Sequence, residues 1–141
     1  MFRPSSEICE RAVSMIFDTD VLIWFFRGNQ AAADLLDGQA ERAVSIVSVM
    51  ELHQGARSHQ ESRAIRRFLQ DNNLRVIAIN EAISHLAATL VEDHALKDGL
   101  RVADALIGAT ARETGSILAT GNVRHMRCIP ALELKAFRSN S

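Results

Sequence analysis

Short apolar runs alternate with amphipathic stretches along this chain from Met15 onward. Five of these runs have the length and composition of buried strands: Met15–Thr19, Arg42–Val47, Leu74–Ile79, Ser116–Thr120 and Leu132–Phe137. The stretches between them space their apolar residues as helices do. Strands that alternate with helices predict an α/β fold, in which a parallel sheet is covered by helices on both faces.

The predicted helices occupy the segments between the strands. They cover Val21–Phe26, Gln30–Leu36, Val49 to about Arg57, Gln60–Asp71, a long stretch after Asn80, and Val102–Thr114. Asn80 has the side chain of an N-cap, Gly28-Asn29 interrupts the first helical stretch, and Gly99 ends the long one. We predict one domain over residues 15–138, preceded by an extension (1–14) and followed by a short tail (139–141).

Composition narrows the function classes. Apolar residues make up 48% of the 141 residues and charged residues 23%, which is typical of a globular domain. The formal charge of −1 argues against a general basic surface for nucleic acid, although a bound cation can neutralise phosphate locally. Two lone cysteines, Cys9 and Cys128, indicate a reducing compartment, and no apolar run reaches the ~18 residues of a membrane span. We therefore expect a cytoplasmic protein with no membrane contact.

Acidic residues follow the first predicted strand. In open parallel sheets the active crevice lies beyond the carboxyl ends of the strands, where Asp18 and Asp20 fall. A charged residue that ends a buried strand is costly unless it is solvated, hydrogen-bonded or metal-bound. The alternative is that Asp20 caps the next helix and Asp18 is a solvated turn residue.

Two further carboxylates fall at the same predicted edge. Glu51 lies in Ser48-Val49-Met50-Glu51, which matches a Ser-x-x-Glu capping box and, alternatively, can point across the crevice at a metal. Asp104 lies in the first turn of a predicted helix. It can complement the helix dipole, but its apolar neighbours favour a functional role.

The fourth strand ends in polar residues. Thr120 and Asn122 can hydrogen-bond a ligand, a water or a neighbouring carboxylate, whereas Gly121-Asn122 is also explained as an ordinary turn. His125 and Arg124 follow, and each is either a surface side chain or a phosphate contact. Carboxylates that converge here would repel one another and favour a hard cation with oxygen ligands, Mg²⁺ or Mn²⁺.

Four segments together resemble the PIN-domain ribonucleases and, more narrowly, the VapC-type toxins of bacterial toxin–antitoxin modules. The segments are MIFDTDVLIWFF, SIVSVMELHQGA, LRVADALIGATA and ILATGNVRHM. The match runs in order from about Met15 to Phe137. It implies a PIN-like three-layer sandwich with a central parallel sheet of about five strands flanked by helices.

The resemblance also implies roles for single residues. Asp18, Glu51 and Asp104 match the family's catalytic and metal-binding acids, and Thr120 and Asn122 match its polar residues after the fourth strand. Three residues complete the predicted site as supporting groups: Asp20, His125 and Arg124. Asp20 stands where the family often carries serine or asparagine, and His125 lies where many PIN domains carry a fourth acid.

The implied function is Mg²⁺- or Mn²⁺-dependent hydrolysis of RNA. The implied partners are a VapB-like antitoxin, which blocks the crevice and alone contacts DNA, and a second copy of the chain in a homodimer. Two alternatives stay open. One is a catalytically weak PIN-like module that binds RNA or protein, and the other is a phosphatase of the DxD type, suggested by Asp18-Thr19-Asp20.

Overall fold

A computed structural model describes residues 14–140 of the chain. Five strands are present in this part: β1 (Met15–Phe17), β2 (Arg42–Ser45), β3 (Arg75–Ile77), β4 (Ile117–Thr120) and β5 (Leu134–Ala136). Seven helices accompany them: α1 (Thr19–Phe26), α2 (Gln30–Asp37), α3 (Ile46–Gln54), α4 (His59–Asp71), α5 (Glu81–Asp98), α6 (Val102–Glu113) and α7 (Val123–Met126).

The five strands form one parallel sheet in the order β3-β2-β1-β4-β5. β1 lies at the centre, and Phe17 pairs with Ala119 of β4. The chain adds strands on one side of β1 and then returns to add strands on the other. This reversal opens a crevice beside the carboxyl end of β1, which is where ligands bind in such sheets.

Successive side chains of the central strands enter opposite layers of the core. Phe17 and Val44 pack with α1, α2 and α4, whereas Ile16 and Ala43 pack with α5 and α6. Since side chains alternate along a strand, a sheet buried on both faces needs apolar residues at every position, and β1 is buried throughout. The predicted three-layer α/β sandwich is therefore confirmed.

Helix caps set the boundaries more sharply than the sequence indicated. β1 ends at Phe17 because the Asp18 side chain caps α1 and accepts from the Thr19 amide. The alternative in which Asp20 caps the helix and Asp18 is a solvated turn residue is wrong. Asn80 caps α5 as predicted, and Gly99 ends that helix at a φ of 73°.

The predicted capping box of Ser48 and Glu51 is also wrong. β2 ends at Ser45, and the Ser45 side chain caps α3 by accepting from the Val47 amide. Ser48 is consequently fully buried inside the helix. Glu51 is left free of a capping role and lies on the exposed side of α3.

The ends of the predicted domain are described only in part. The predicted extension falls outside the described residues except for Ser14, whose carbonyl accepts from the Ile117 amide. In the predicted tail, the Ser139 carbonyl accepts from the Asn29 side chain. None of the helices within residues 14–140 combines the length and apolar character that crossing a membrane requires.

Candidate active site

Asp18 lies where the central strand meets the first helix, and only 6% of its surface is exposed. One carboxylate oxygen accepts from the Thr19 amide at 2.8 Å, and the other accepts from the Thr120 hydroxyl at 2.7 Å. Because β1 and β4 are neighbours, the ends of the two strands lie side by side, and the Asp18 amide donates to the Ala119 carbonyl. Asp18 is thus fixed by both strands.

Asp20 joins the same edge from the first turn of α1. Its Oδ1 accepts from the Val21 amide at 2.8 Å, and its Oδ2 accepts from the Gly121 amide at 2.9 Å. A Cβ atom on residue 121 would lie 2.5 Å from that Oδ2, so the contact requires glycine. Asp20 is therefore held at this edge by two backbone amides.

The Thr19 hydroxyl connects Glu51 to the start of α1. The Thr19 hydroxyl lies 2.6 Å from Glu51 Oε1 and 2.9 Å from the hydroxyl of the buried Ser48. The Thr19 hydrogen can point at one acceptor at a time. Glu51 therefore contacts the residue that directly follows Asp18, and its carboxylate is open to solvent.

Asp104 reaches the crevice from α6. This helix precedes β4 and runs antiparallel to it, so the start of α6 lies at the carboxyl edge of the sheet. Asp104 is half-buried, and its Oδ2 is 3.4 Å from the Arg101 amide, a long contact that leaves the carboxylate available. Its charge acts on both Asp18 and Asp20.

The segment after β4 closes the edge. The Thr120 hydroxyl, which donates to Asp18, accepts from the Asn122 amide at 2.9 Å. Asn122 Oδ1 lies 2.9 Å from His125 Nδ1 on α7, a one-turn helix that the sequence pattern does not predict. Arg124 is exposed on the same turn.

Burial and crowding of like charges shift the acids at this edge. Burial, followed by the charge of Asp20, raises the pKa of Asp18 from 3.8 to about 6, although the bonds from Thr120 and Thr19 oppose the shift. Burial also raises the pKa of Asp20, and its amide contacts oppose that change. A cation would relieve both shifts, because it compensates the charge that burial disfavours.

The donor chemistry of this edge fits a hard divalent cation. Its four acids, Asp18, Asp20, Glu51 and Asp104, offer carboxylate oxygens, which Mg²⁺ and Mn²⁺ prefer. Within residues 14–140, however, no three of these acids bring ligand oxygens within 4.8 Å of one another. Mg²⁺ retains several waters and binds through one or two carboxylates, so an open arrangement around Asp18 suits it.

The sequence does not mark Thr19 or Ser48 as residues of this edge. Thr19 stands between two acids in Asp18-Thr19-Asp20 and carries no signal of its own. Ser48 is a polar residue within an otherwise apolar segment, and this is the one signal that the sequence carries for it. Their contact requires α1 and α3 to lie side by side, which no local pattern encodes.

Comparisons with known proteins agree with this fold. The family model described as "PIN domain" matches residues 15–128. No curated protein sequence matches the chain significantly. Among solved structures, a toxin-antitoxin complex from Klebsiella pneumoniae aligns with a TM-score of 0.71 at 28% identity, over 84% of this chain and 95% of that one.

Two further structures share the fold at lower identity. VapBC2 from Rickettsia felis, bound to a promoter DNA fragment, aligns with a TM-score of 0.76 at 17% identity, over 89% of this chain and 100% of that one. VapBC-1 from nontypeable Haemophilus influenzae aligns with a TM-score of 0.74 at 21% identity, over 88% and 98%.

The raised pKa of Asp18 predicts a pH dependence of stability. The folded state holds this proton more tightly than the unfolded state, so Asp18 lowers the free energy of unfolding as pH rises from about 4 to about 6. Asp18→Asn removes this loss of stability, because asparagine does not titrate. Without divalent ions at pH 7, we expect the variant to be between about 1 and 3 kcal/mol more stable than the parent in urea unfolding.

The matched control for this experiment is Asp93→Asn, which changes an exposed aspartate on α5. Its stability should follow that of the parent at every pH. Equal or lower stability of Asp18→Asn at pH 7 would contradict the prediction.

The Asp20–Gly121 contact predicts a coupled pair of substitutions. Gly121→Ala should lower the free energy of unfolding by about 1–3 kcal/mol, because the added methyl group displaces the Asp20 carboxylate. In an Asp20→Ala background the same change should cost much less. Gly38→Ala serves as the control, since its nearest neighbour would lie at 3.6 Å. Equal costs in the two backgrounds would argue against the contact.

Proposed function

We propose that this chain, which belongs to the PIN domain family, is a metal-dependent endoribonuclease that hydrolyses RNA phosphodiester bonds as the toxin of a toxin–antitoxin pair. The observation that carries the proposal is the buried Asp18 carboxylate at the carboxyl end of the central strand. Asp20 and Asp104 raise its pKa further, so this edge favours a cation. Membership of the PIN family favours a nuclease over the DxD-type phosphatase.

Asp18 and Asp104 are the residues that would hold Mg²⁺ or Mn²⁺ directly, with Asp20 beside them. Such an ion lowers the pKa of a bound water and neutralises charge on the phosphate. The Thr19 amide and Thr120 hydroxyl keep both Asp18 oxygens in place, and the Gly121 amide does the same for Asp20. Groups fixed in this way need little rearrangement during the reaction.

Glu51 would either ligate the same ion or orient the attacking water and accept its proton. Its carboxylate is open to solvent, and the Thr19 hydroxyl orients one of its oxygens. An oriented carboxylate with a free oxygen suits a general base. The segment directly after β4 suits contacts to RNA phosphates. It supplies an amide, an imidazole and a guanidinium group, from Asn122, His125 and Arg124.

A groove beside Glu51 supports an antitoxin as partner. It has a volume of about 530 Å³, and its apolar lining comes from α1, α3 and α4: Ile23, Phe26, Leu52 and Ile65. Arg57 and Glu61 form a pair 3.2 Å apart on its rim. An antitoxin segment that fills this groove would end at Glu51 and block access to the acids.

The other expected properties follow the same proposal. The chain acts in the cytoplasm as a homodimer and contacts DNA only through its antitoxin. A solved neighbour supports contact with DNA through an antitoxin, since the Rickettsia felis structure is a VapBC complex bound to promoter DNA. Because that protein has low sequence identity to this chain, the two are similar in fold only.

One alternative has an observation in its favour. The acids of the crevice do not bring three ligand oxygens within 4.8 Å in the described part of the chain, and His125 stands where many PIN domains carry an acid. A catalytically weak module that binds RNA or protein would have these features. Binding of RNA without cleavage at saturating Mg²⁺ or Mn²⁺ would identify it.

An RNA digestion assay tests the nuclease. We expect the purified chain to cleave RNA in Mg²⁺ or Mn²⁺ and to stop when EDTA is added. Asp18→Asn and Asp104→Asn should each lower the rate by at least about 100-fold, because a lost ligand weakens the bound cation. Asp93→Asn is the matched control and should retain the parent rate. Full activity of both site variants, or RNA cleavage in the presence of EDTA, would contradict this mechanism.

A charge reversal tests the groove. Arg57→Glu adds a third carboxylate to those of Glu51 and Glu61 and leaves Arg27 as the one cationic residue that lines the groove, and we expect binding of the proposed antitoxin to weaken by about tenfold or more. Calorimetry would measure the affinity, and cleavage by the free chain would show that the fold persists. Arg66→Glu, an exposed change on α4 away from the groove lining, is the control. Equal affinities for the two variants would exclude the groove.

A further inference from the structure

A second cluster of metal-ligating side chains lies outside the acidic crevice. His94 and Asp98 are one turn apart on α5, and His94 Nδ1 lies 2.7 Å from Asp98 Oδ2. Cys128, just after α7, completes the cluster, since the three ligand atoms all lie within 4.8 Å of one another. Within residues 14–140 this is the one group of three histidine, cysteine or acidic residues that reaches such proximity.

The backbone around these three residues is fixed by buried neighbours. Met126 and Ile129, on either side of Cys128, are 0% and 3% exposed. The Cys128 thiol donates to the His125 carbonyl at 3.1 Å, which turns the sulfur to one side of the loop. On α5, the capping bonds at Gly99 close the last turn, so His94 and Asp98 keep their relative positions. The cluster therefore needs little ordering before it can bind an ion.

The chemistry of this cluster differs from that of the crevice. It combines one imidazole nitrogen, one carboxylate oxygen and one sulfur, and a set containing thiolate and imidazole favours Zn²⁺ or Co²⁺ over Mg²⁺. The His94 and Asp98 side chains are 15% and 28% exposed, so an ion could enter from solvent and keep a water as its fourth ligand. Burial and the charges of Asp98 and Asp104 raise the pKa of Cys128, and a cation would compensate these charges.

We propose that His94, Asp98 and Cys128 form a binding site for a transition-metal ion of the Zn²⁺ or Co²⁺ type, separate from the acidic crevice and independent of the proposed nuclease. On binding, the Cys128 thiol releases its proton to solvent and the thiolate sulfur bonds to the metal. Asp98 and His94 exchange their mutual contact for bonds to the same ion. The ion ties the end of α5 to the loop after α7.

Cobalt titration of the untagged full-length chain tests this site. Co²⁺ bound to a thiolate gives a charge-transfer band in the near ultraviolet, so the spectrum reports sulfur ligation directly. Cys9→Ser leaves Cys128 as the only cysteine of the sequence. In that background we expect a band that saturates at one Co²⁺ per chain and is lost when Zn²⁺ is added.

Three variants in the same background separate the possible origins of the band. Cys128→Ser should abolish it, and His94→Ala should weaken Co²⁺ binding by at least roughly tenfold. Asp18→Asn should leave the band unchanged, since Asp18 belongs to the crevice. Circular dichroism of each metal-free variant establishes that it is folded.

Two outcomes would overturn the proposal. One is the absence of the band in Cys9→Ser at saturating Co²⁺, and the other is its persistence in folded Cys128→Ser. Neither depends on RNA cleavage, so failure of this site and failure of the nuclease can be told apart. A melting temperature that rises with Zn²⁺ in the parent but not in Cys128→Ser would support the site independently.

Discussion

The main constraint on this structure is a carboxylate held out of water at the end of its central strand. Burial of Asp18 is unfavourable by itself, and two neighbouring acids increase the cost. The Thr19 amide and the Thr120 hydroxyl reduce it, but both contacts exist only because β1 lies beside β4 and leads directly into α1. The sheet order, the helix start and the acidic site are therefore consequences of one arrangement.

Each remaining acid of the crevice has its own means of support. Asp20 uses the Gly121 amide, Glu51 uses the Thr19 hydroxyl, and Asp104 makes only a long contact to the Arg101 amide. Separate donors hold each of these acids in its own position although their like charges repel one another, and in the described part of the chain no three of them bring ligand oxygens within 4.8 Å of one another. The cluster at the end of α5 combines one nitrogen, one oxygen and one sulfur ligand, and these three atoms do lie within 4.8 Å of one another.

The alternation of apolar runs was enough to predict the sheet, the helices on both faces and the acids at one edge. It misplaced the ends of β1 and β2, because Asp18 and Ser45 each cap a helix that begins at the next residue. After Ser45, the apolar Ile46 and Val47 already belong to that helix, although they look like strand from the sequence alone. Ser48 and Glu51 have the spacing of a capping box but lie within a helix capped three residues earlier. α7 is too short to show a period, and the contact between Thr19 and Ser48 depends on tertiary packing.

The bond between Asp18 and Thr120 joins residues that are 102 positions apart. A ribosome therefore adds many residues between the first of them and the second. Until β4 leaves the exit tunnel, the nascent protein lacks the hydroxyl, the glycine amide and the asparagine that complete the edge. The edge therefore cannot assemble before translation has passed β4, and shorter nascent chains do not contain it.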